Sequence, residues 1–501
     1  MDLQFTKASN GQATCTIDGI RLHSAYNPSR EASVFVSSIK CSFNPKYIFM
    51  TGPSLSYCVI PLRKMYPNAT LCCVQYIASF AAADHYLWDK VFDMKNSAIS
   101  LSEQLYNFMG DEGIASCLFL SWQPAEKAFP KEYAFCWSEI KKAVLKSRSV
   151  LTTRSFFSKR WTRNAIRFCL FARQIAVAQP GTSPVILCAS GPSLRTSIPF
   201  IQRFKQYCTV ICVSSALKPL IENDIVPDMC ISTDGGYWAK RHISFELAKV
   251  PDIVLAMPAE AASYASVSAT CKLLPLSYGD GQGDMLLASC GITSLSAERN
   301  GTVSGTAVKL ALRLTNSAVF CCGLDLAPAK GFSHMQPNEL ELTDSLSDMR
   351  LCPKETRITP TTFTNTSLEM YQSWFAATDF SGRLLRISNN FKYTNSLGSI
   401  PDVDWTVAAQ ILSKCIDKKK ITFSATSYAA SLDERVKSLQ YTIATHTNDS
   451  DWIHDAVPAE SVILERSRNT PSEANAKRVV DRAMNVYSKD IYRAFGGGMT
   501  Y

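Results

Sequence analysis

Five short apolar runs constrain this chain more than any other feature. They are Val185 to Ser190, Thr209 to Ser215, Met229 to Thr233, Ile253 to Pro258 and Ala318 to Leu326. None alternates apolar with polar, so each reads as a strand buried on both faces. Stretches of helical pattern lie between several of them. Strands of this kind, alternating with helices, fold as a mainly parallel sheet covered on both sides.

The rest of the chain organises around that block. Residues 1–130 read as a smaller N-terminal α/β domain, with "YIFMT" (Tyr47 to Thr51) and "TLCCVQ" (Thr70 to Gln75) as its strands. Residues 131–180 read as a basic helical linker ending in the break "AQPGTSP". Residues 181–424 form the central domain, and residues 425–501 a helical C-terminal region. The expected class is therefore α/β, with a Rossmann-like central domain. In the last helix Thr470 is the expected N-cap, with Pro471 at N1 and Glu473 closing a capping box. Gly496 is its expected stop.

Bulk properties narrow the function classes. No apolar run is long enough to cross a bilayer as a helix, and "MDLQFTKASNGQ" lacks the pattern of a signal peptide. The expectation is a soluble, cytoplasmic protein without membrane insertion. The 18 cysteines sit mostly in apolar stretches, with no zinc spacing, so they read as small core residues in a reducing compartment; no metal site is expected. The net charge is +9, and the stretch from Lys146 to Arg173 carries many Lys and Arg and no acid. It reads either as a solvated helix face or as a site for an acidic partner or a nucleotide phosphate. No nucleic-acid-binding module pattern is present, and no such partner is expected. His85 follows "AAAD", and His446 and His454, in the polar C-terminal region, read as surface residues.

The tetrapeptide GPSL occurs twice, at Gly52 and Gly191, each time after a strand candidate. The copies lie 139 residues apart, and 7 of 23 aligned positions are identical without a gap. This reads as one strand–turn–helix–strand unit used twice, or as shared α/β patterning.

The second copy stands beside other polar strand ends. Ser190, Gly191 and Ser193 can offer a tight turn and a helix N-terminus to an anion. Ser214 and Ser215 end the second strand. Asp234, Gly235 and Gly236 end the third, where Asp234 reads either as functional or as an ordinary Asp-Gly turn. "NGTVSGTA" enters a helix with Thr302 or Ser304 as the cap. "VFCCGLDLA" ends in Asp325, and His334 follows, either as an acid–base group or as an ordinary loop histidine. The first copy lacks such neighbours and reads as the same tight turn without a ligand.

Taken together, "GPSLRTSIPFI", "SSALKPLIENDIVPDMCISTD", "GTVSGTAVKLAL" and "CCGLDLAPAKGFSHMQ" resemble the central domain of the motility-associated factor (Maf) glycosyltransferases, which glycosylate flagellin. That domain is similar to bacterial sialyltransferases that use a CMP-linked nonulosonic acid without a metal. The resemblance implies that Gly191, Pro192 and Ser193 lie against the nucleotide phosphate or ribose. It implies that Ser214 and Asp234 line the same pocket, and that Ser304 and Asp325 face nucleotide or sugar. Ala189-Ser190 stand where the sialyltransferases carry Gly-Asn, and Leu324 stands where the family often carries Gln. The implied reaction moves a sialic-acid-like sugar from CMP-nonulosonate, a donor substrate rather than a resident cofactor, to Ser or Thr of flagellin. Asp234, Asp325 and His334 are the catalytic candidates, with Arg195 or the basic stretch assisting the leaving group. Two other readings stand beside it. One is a pterin pyrophosphokinase-like enzyme using ATP and Mg²⁺. The other is a non-catalytic flagellin-binding factor.

Overall fold

The computed structural model describes residues 2–80, 87–94, 99–243, 247, 250–327, 333–346, 348–351, 353, 366–388, 396–415 and 417–496. His85 lies outside them, as do parts of the "CCGLDLAPAKGFSHMQ" and "LRISNNFKYTNSLGSIPDVDW" stretches. The chain divides into two compact units, both discontinuous. One comprises Met1–Phe156 with Ile453–Tyr487, and the other Phe157–Trp452 with Ser488–Tyr501. The boundary at 156/157 falls inside one 42-residue helix, Pro130–Phe171.

The first unit holds a small antiparallel sheet of β1 (Leu3–Lys7), β2 (Ala13–Ile17) and β3 (Ile20–Arg21). Its second sheet is parallel, ordered β6-β5-β4-β7, with β4 at Tyr47–Thr51, β5 at Thr70–Val74, β6 at Lys90–Phe92 and β7 at Cys117–Ser121. Ile48, Phe49, Met50, Leu71, Cys72 and Cys73 are fully buried in its core.

The first GPSL turn follows β4. Gly52 adopts φ +58° and Ser54 φ +53°, the left-handed region that glycine tolerates best. The protein's own side chains fill the turn. Gln75 accepts from the Ser54 amide (3.1 Å) and donates to the Ser54 carbonyl (2.9 Å), and His23 Nε2 accepts from the Leu55 amide (3.1 Å).

The second unit carries an eleven-stranded sheet. The five strands expected from sequence form as β9 (Val185–Cys188), β10 (Thr209–Val213), β11 (Met229–Ile231), β12 (Val254–Pro258) and β15 (Val319–Cys322). Six more join them: β8 (Gln174–Gln179), β13 (Lys272–Ser277), β14 (Leu295–Ser296), β16 (Leu384–Ile387), β17 (Asp402–Val403) and β18 (Thr422–Ser427). The order is β17-β16-β15-β9-β10-β11-β12-β13-β8-β18, with β14 beside β13. All pairings are parallel except β18 on β8. A mainly parallel α/β architecture with C-terminal helices is thus present.

Three local expectations need correction. The helix expected through residue 180 ends at Phe171, and β8 follows it directly. The last helix runs Glu473–Ile491, but the Glu473 carboxylate accepts from the Asn469 amide (2.8 Å), not from Thr470. Thr470 Oγ1 still accepts from the Ser472 amide (3.2 Å), as a cap does, so only the reciprocal half of the box moves, to Asn469, which adopts φ +58°. That helix also ends at Ile491, before Gly496, and a separate short helix, Arg493–Gly496, follows. No helix among the described residues is long and apolar enough to cross a membrane. Of the described cysteines only Cys41 and Cys290 are partly exposed; the rest are buried free thiols.

Candidate functional site

Chain direction in the large sheet reverses between β9 and β15. From β9 the chain proceeds outward through β10, β11, β12 and β13; from β15 it proceeds the other way to β16 and β17. Open α/β sheets bind ligands outside the carboxyl ends of the strands at such a switch point.

Two loops meet there and are fastened together. The Ala189 amide donates to the Cys322 carbonyl and the Gly191 amide to the Gly323 carbonyl, both at 2.8 Å. The close approach explains both glycines. A Cβ on Gly191 would lie 2.5 Å from Asp325 Oδ2 and 2.6 Å from the Gly323 oxygen. One on Gly323, itself at φ +71°, would lie 2.6 Å from the Ala189 oxygen. Gly191 keeps φ outside the left-handed region, unlike Gly52, so the two GPSL turns are not the same conformation.

Asp325 closes the junction. It is 2% exposed, accepts from the Ser193 amide at Oδ2 (2.7 Å) and takes the Ser193 hydroxyl at Oδ1. Burial raises its carboxyl above the ordinary range, although the Ser193 bonds and nearby Arg386 oppose the shift. Both oxygens are occupied in holding the turn.

His334 sits beside this junction, because the Met335 amide donates to the Ser190 carbonyl (2.8 Å). Glu341, 5% exposed, organises the loop. Its Oε1 lies 3.0 Å from His334 Nδ1 and accepts from the backbone amides of Ser333 (2.9 Å) and His334 (3.0 Å). Among the described residues the His334 ring is contacted by Glu341 at Nδ1 and makes no hydrogen bond at Nε2. A buried carboxylate on one imidazole nitrogen with the other free is the arrangement of an oriented base.

The end of β11 supplies a second group. Asp234 is exposed, and its Oδ1 accepts from the Gly236 amide (2.7 Å), so the Asp-Gly turn does form. The Asp234 charge also reaches His242 and Tyr371. Burial pushes His242 down to about 4; the charge on His334 acts the same way, while Asp234, Glu339 and Glu341 oppose it. Burial, with Asp234 adding to it, raises the Tyr371 hydroxyl. The Tyr371 ring lies against Gly301, where a Cβ would meet it at 3.0 Å.

Helix starts complete the edge. Ser214, 6% exposed, and half-buried Ser215 open the helix Ser214–Ile221, which has no side-chain cap. Thr302 is the N-cap of Val303–Leu314 but makes no side-chain cap bond; its own amide donates to Asn300 Oδ1 (3.1 Å). The hydroxyls of Thr302 and half-buried Ser304 therefore stay available. Gly235 is buried under Trp161, with its carbonyl held by Asn164 Nδ2 (3.2 Å).

The structure thus gathers Ser190, Gly191, Pro192, Ser193 and Asp325 in one fastened turn, with His334 tied to it. Asp234 falls in a neighbouring group with His242 and Tyr371. His242, Glu341 and Tyr371 escape a reading of the sequence. They lie on segments without strand-end or glycine cues, and only the fold brings them to the edge.

Comparison with known proteins bears on the same region. Residues 160–331 match the family described as 6-hydroxymethylpterin diphosphokinase MptE-like. That match lies within the second unit and takes in about a third of the chain. Two proteins of Treponema pallidum (strain Nichols), both described as uncharacterized, are similar to the chain: one is 33% identical over 285 residues, the other 25% over 160. Those alignments take in 56% and 32% of this chain, and the chain spans 61% and 28% of those relatives, less than two thirds of either. A solved structure titled as a MAf glycosyltransferase from Magnetospirillum magneticum AMB-1 aligns over 99% of this chain and 87% of its own, with a TM-score of 0.49 and 12% identity.

Two expected outcomes arise from the glycine turns and the buried histidines. Gly52→Ala and Gly191→Ala should each lower stability, by about 1–3 kcal/mol, because each places a methyl where none fits. Only Gly191→Ala should weaken nucleotide binding, measured by titration on the folded protein. Equal loss of binding in both would contradict this division.

The second concerns pH. His242 and His23 are both pushed down to about 4 by burial. Above about pH 6.5 both states are neutral; below it the unfolded chain gains protons that the folded chain refuses. Stability should therefore fall as pH drops from about 6.5 toward 4. Urea midpoints at pH 7 and pH 4.5 should differ less in His242→Gln than in the wild type.

Proposed function

We propose that the second unit is a glycosyltransferase site that moves a nonulosonic sugar from a CMP donor to a Ser or Thr hydroxyl of flagellin. The observation that carries this reading is convergence. Each of the four stretches that resemble the motility-associated factor family reaches the carboxyl edge of one parallel sheet: Gly191 follows β9, Asp234 follows β11, Val303 opens the helix that leads back to β15, and Asp325 follows β15. Transfer breaks the bond from sugar carbon to phosphate oxygen, releases CMP and forms a bond to the acceptor oxygen. Backbone N–H groups of the Gly191–Ser193 turn and the uncapped start of Ser214–Ile221 are suited to the leaving phosphate. His334, aimed by Glu341, would take the acceptor proton at Nε2. Asp234 would orient the acceptor or the sugar, and Ser304 would bond the donor. Asp325, with both oxygens engaged, holds the turn.

The test is incubation of the protein with CMP-nonulosonate and flagellin, followed by mass spectrometry. A sugar-sized increment on flagellin is expected; neither increment, donor hydrolysis nor donor binding would end the proposal.

The MptE-like match favours a second reading, diphosphate transfer from ATP to a hydroxymethylpterin. Mg²⁺ would supply phosphate charge neutralisation there. Among the described residues no three His, Cys, Asp or Glu are grouped to hold a metal ion. ATP-dependent turnover of hydroxymethylpterin, without sugar transfer, would establish that reading instead.

A further inference from the structure

A cavity of about 250 Å³ opens beside the ends of β11 and β12, lined by Arg160, Arg163, Arg167, Lys240 and Arg493. Five cations converge on a space smaller than a typical drug-sized pocket. One carboxylate offsets them: Asp490 pairs with Arg163 (3.3 Å) and Arg493 (3.5 Å), which fixes those two guanidinium groups. Arg160, Arg167 and Lys240 make no ion pair among the described residues. Lys240 is held between two rings, its Nζ 4.2 Å from the centroids of Tyr237 and Tyr264. Arg160 lies over Phe157, 5.2 Å from its centroid. Arg160 and Lys240 are positioned by aromatic faces rather than by acids, so their charge remains for a ligand.

The wall is rigid where it meets the sheet. Asn164 Nδ2 donates to the carbonyls of Gly235 (3.2 Å) and Glu260 (2.9 Å), joining the loops after β11 and β12. A side chain at Gly235 would run into Trp161. Helix and loops are thus joined before any ligand arrives, which lowers the ordering cost of binding. Crowding among the cations is also felt: burial, and then the Arg167 charge, lower the Lys240 ammonium. A polyanion would relieve that repulsion.

We propose that this cavity binds a phosphate group carrying two or more negative charges, as found in a diphosphate or a phosphorylated small molecule. The inference rests on the cavity and its cations, not on the transfer reaction proposed above. Arginine suits such a ligand because its planar fork matches phosphate oxygens, and three of the four arginines here lie on one helix face at spacings of three and four.

The experiment is isothermal titration of the full chain with inorganic pyrophosphate. Arg167→Ala and Lys240→Ala are each expected to weaken binding about tenfold or more. Arg167→Lys should recover part of the loss. Arg203→Ala removes the same charge from an exposed site outside the cavity and should change binding less than about twofold. Matching unfolding midpoints exclude misfolding as the cause. CMP as competitor separates the sources: displacement of pyrophosphate assigns the cavity to the nucleotide's own phosphate, and simultaneous binding assigns it to a separate phosphorylated ligand. Absence of binding at millimolar pyrophosphate would overturn the proposal. So would an equal effect of Arg203→Ala, or tight binding of single-stranded nucleic acid in place of pyrophosphate.

Discussion

Asp325→Asn is expected to keep the fold and nucleotide binding, and Asp325→Ala to lose both. The two oxygens of Asp325 serve two donors, the amide and the hydroxyl of Ser193. An asparagine can still accept from the amide through its oxygen. Its NH₂ can donate to the serine hydroxyl, which then acts as acceptor. The buried carboxyl already sits above its usual range, so losing the charge also removes a desolvation penalty. The cost of Asp325→Asn should be about 1 kcal/mol or less. Alanine instead leaves two buried donors without partners and opens a void between Gly191 and Gly323. That should cost about 3 kcal/mol. Urea denaturation and nucleotide titration read both. The same pair tests chemistry: a catalytic carboxylate would lose turnover in the asparagine variant, whereas a carboxylate that only fastens the turn would not.

His334→Ala should lower kcat by about 10²–10⁴, the range of a lost general base. Glu341→Gln should lower it by about 10² while leaving KM for the donor near its wild-type value. Glutamine keeps an oxygen for the Ser333 and His334 amides, so the loop survives. What it loses is the negative charge opposite Nδ1, which would stabilise the imidazolium formed when His334 takes a proton, and the Oε2 acceptor for Gln336 Nε2 (2.5 Å). A rise in KM with unchanged kcat would instead mark Glu341 as a binding or loop residue. Unchanged kcat in His334→Ala would remove the proposed base.

The large sheet was legible where strands are fully apolar. β9, β10, β11, β12 and β15 have entirely buried patterns, and each stands between turn signals. The strands that went unread break a local rule. β13 carries Pro275 in its middle, paired with Met257, where proline ordinarily argues against a central strand. β8 follows a long basic helix with a gap of only two residues, Ala172 and Arg173. β18 is largely exposed and polar, and only its antiparallel pairing with β8 makes it a strand. At the site, the glycines and strand-end polar residues announced themselves. The Ser193–Asp325 junction spans 132 residues, and no local pattern couples its partners. Glu341 differs: its partners lie within eight residues, but its carboxylate matters through the loop it gathers, which no strand-end or glycine cue announces.

The two discontinuous units also impose an order on biosynthesis. The first unit takes Ile453–Tyr487 as part of its body, and the second closes its sheet edge with β18 and then takes residues from Ser488 onward. A ribosome making this chain from its N-terminus therefore releases most of both units before either has its final segment. Until then β8 presents an open strand edge and the first unit lacks a helical part. A nascent chain stalled before residue 422 would carry the whole switch-point edge yet remain exposed to mispairing along β8.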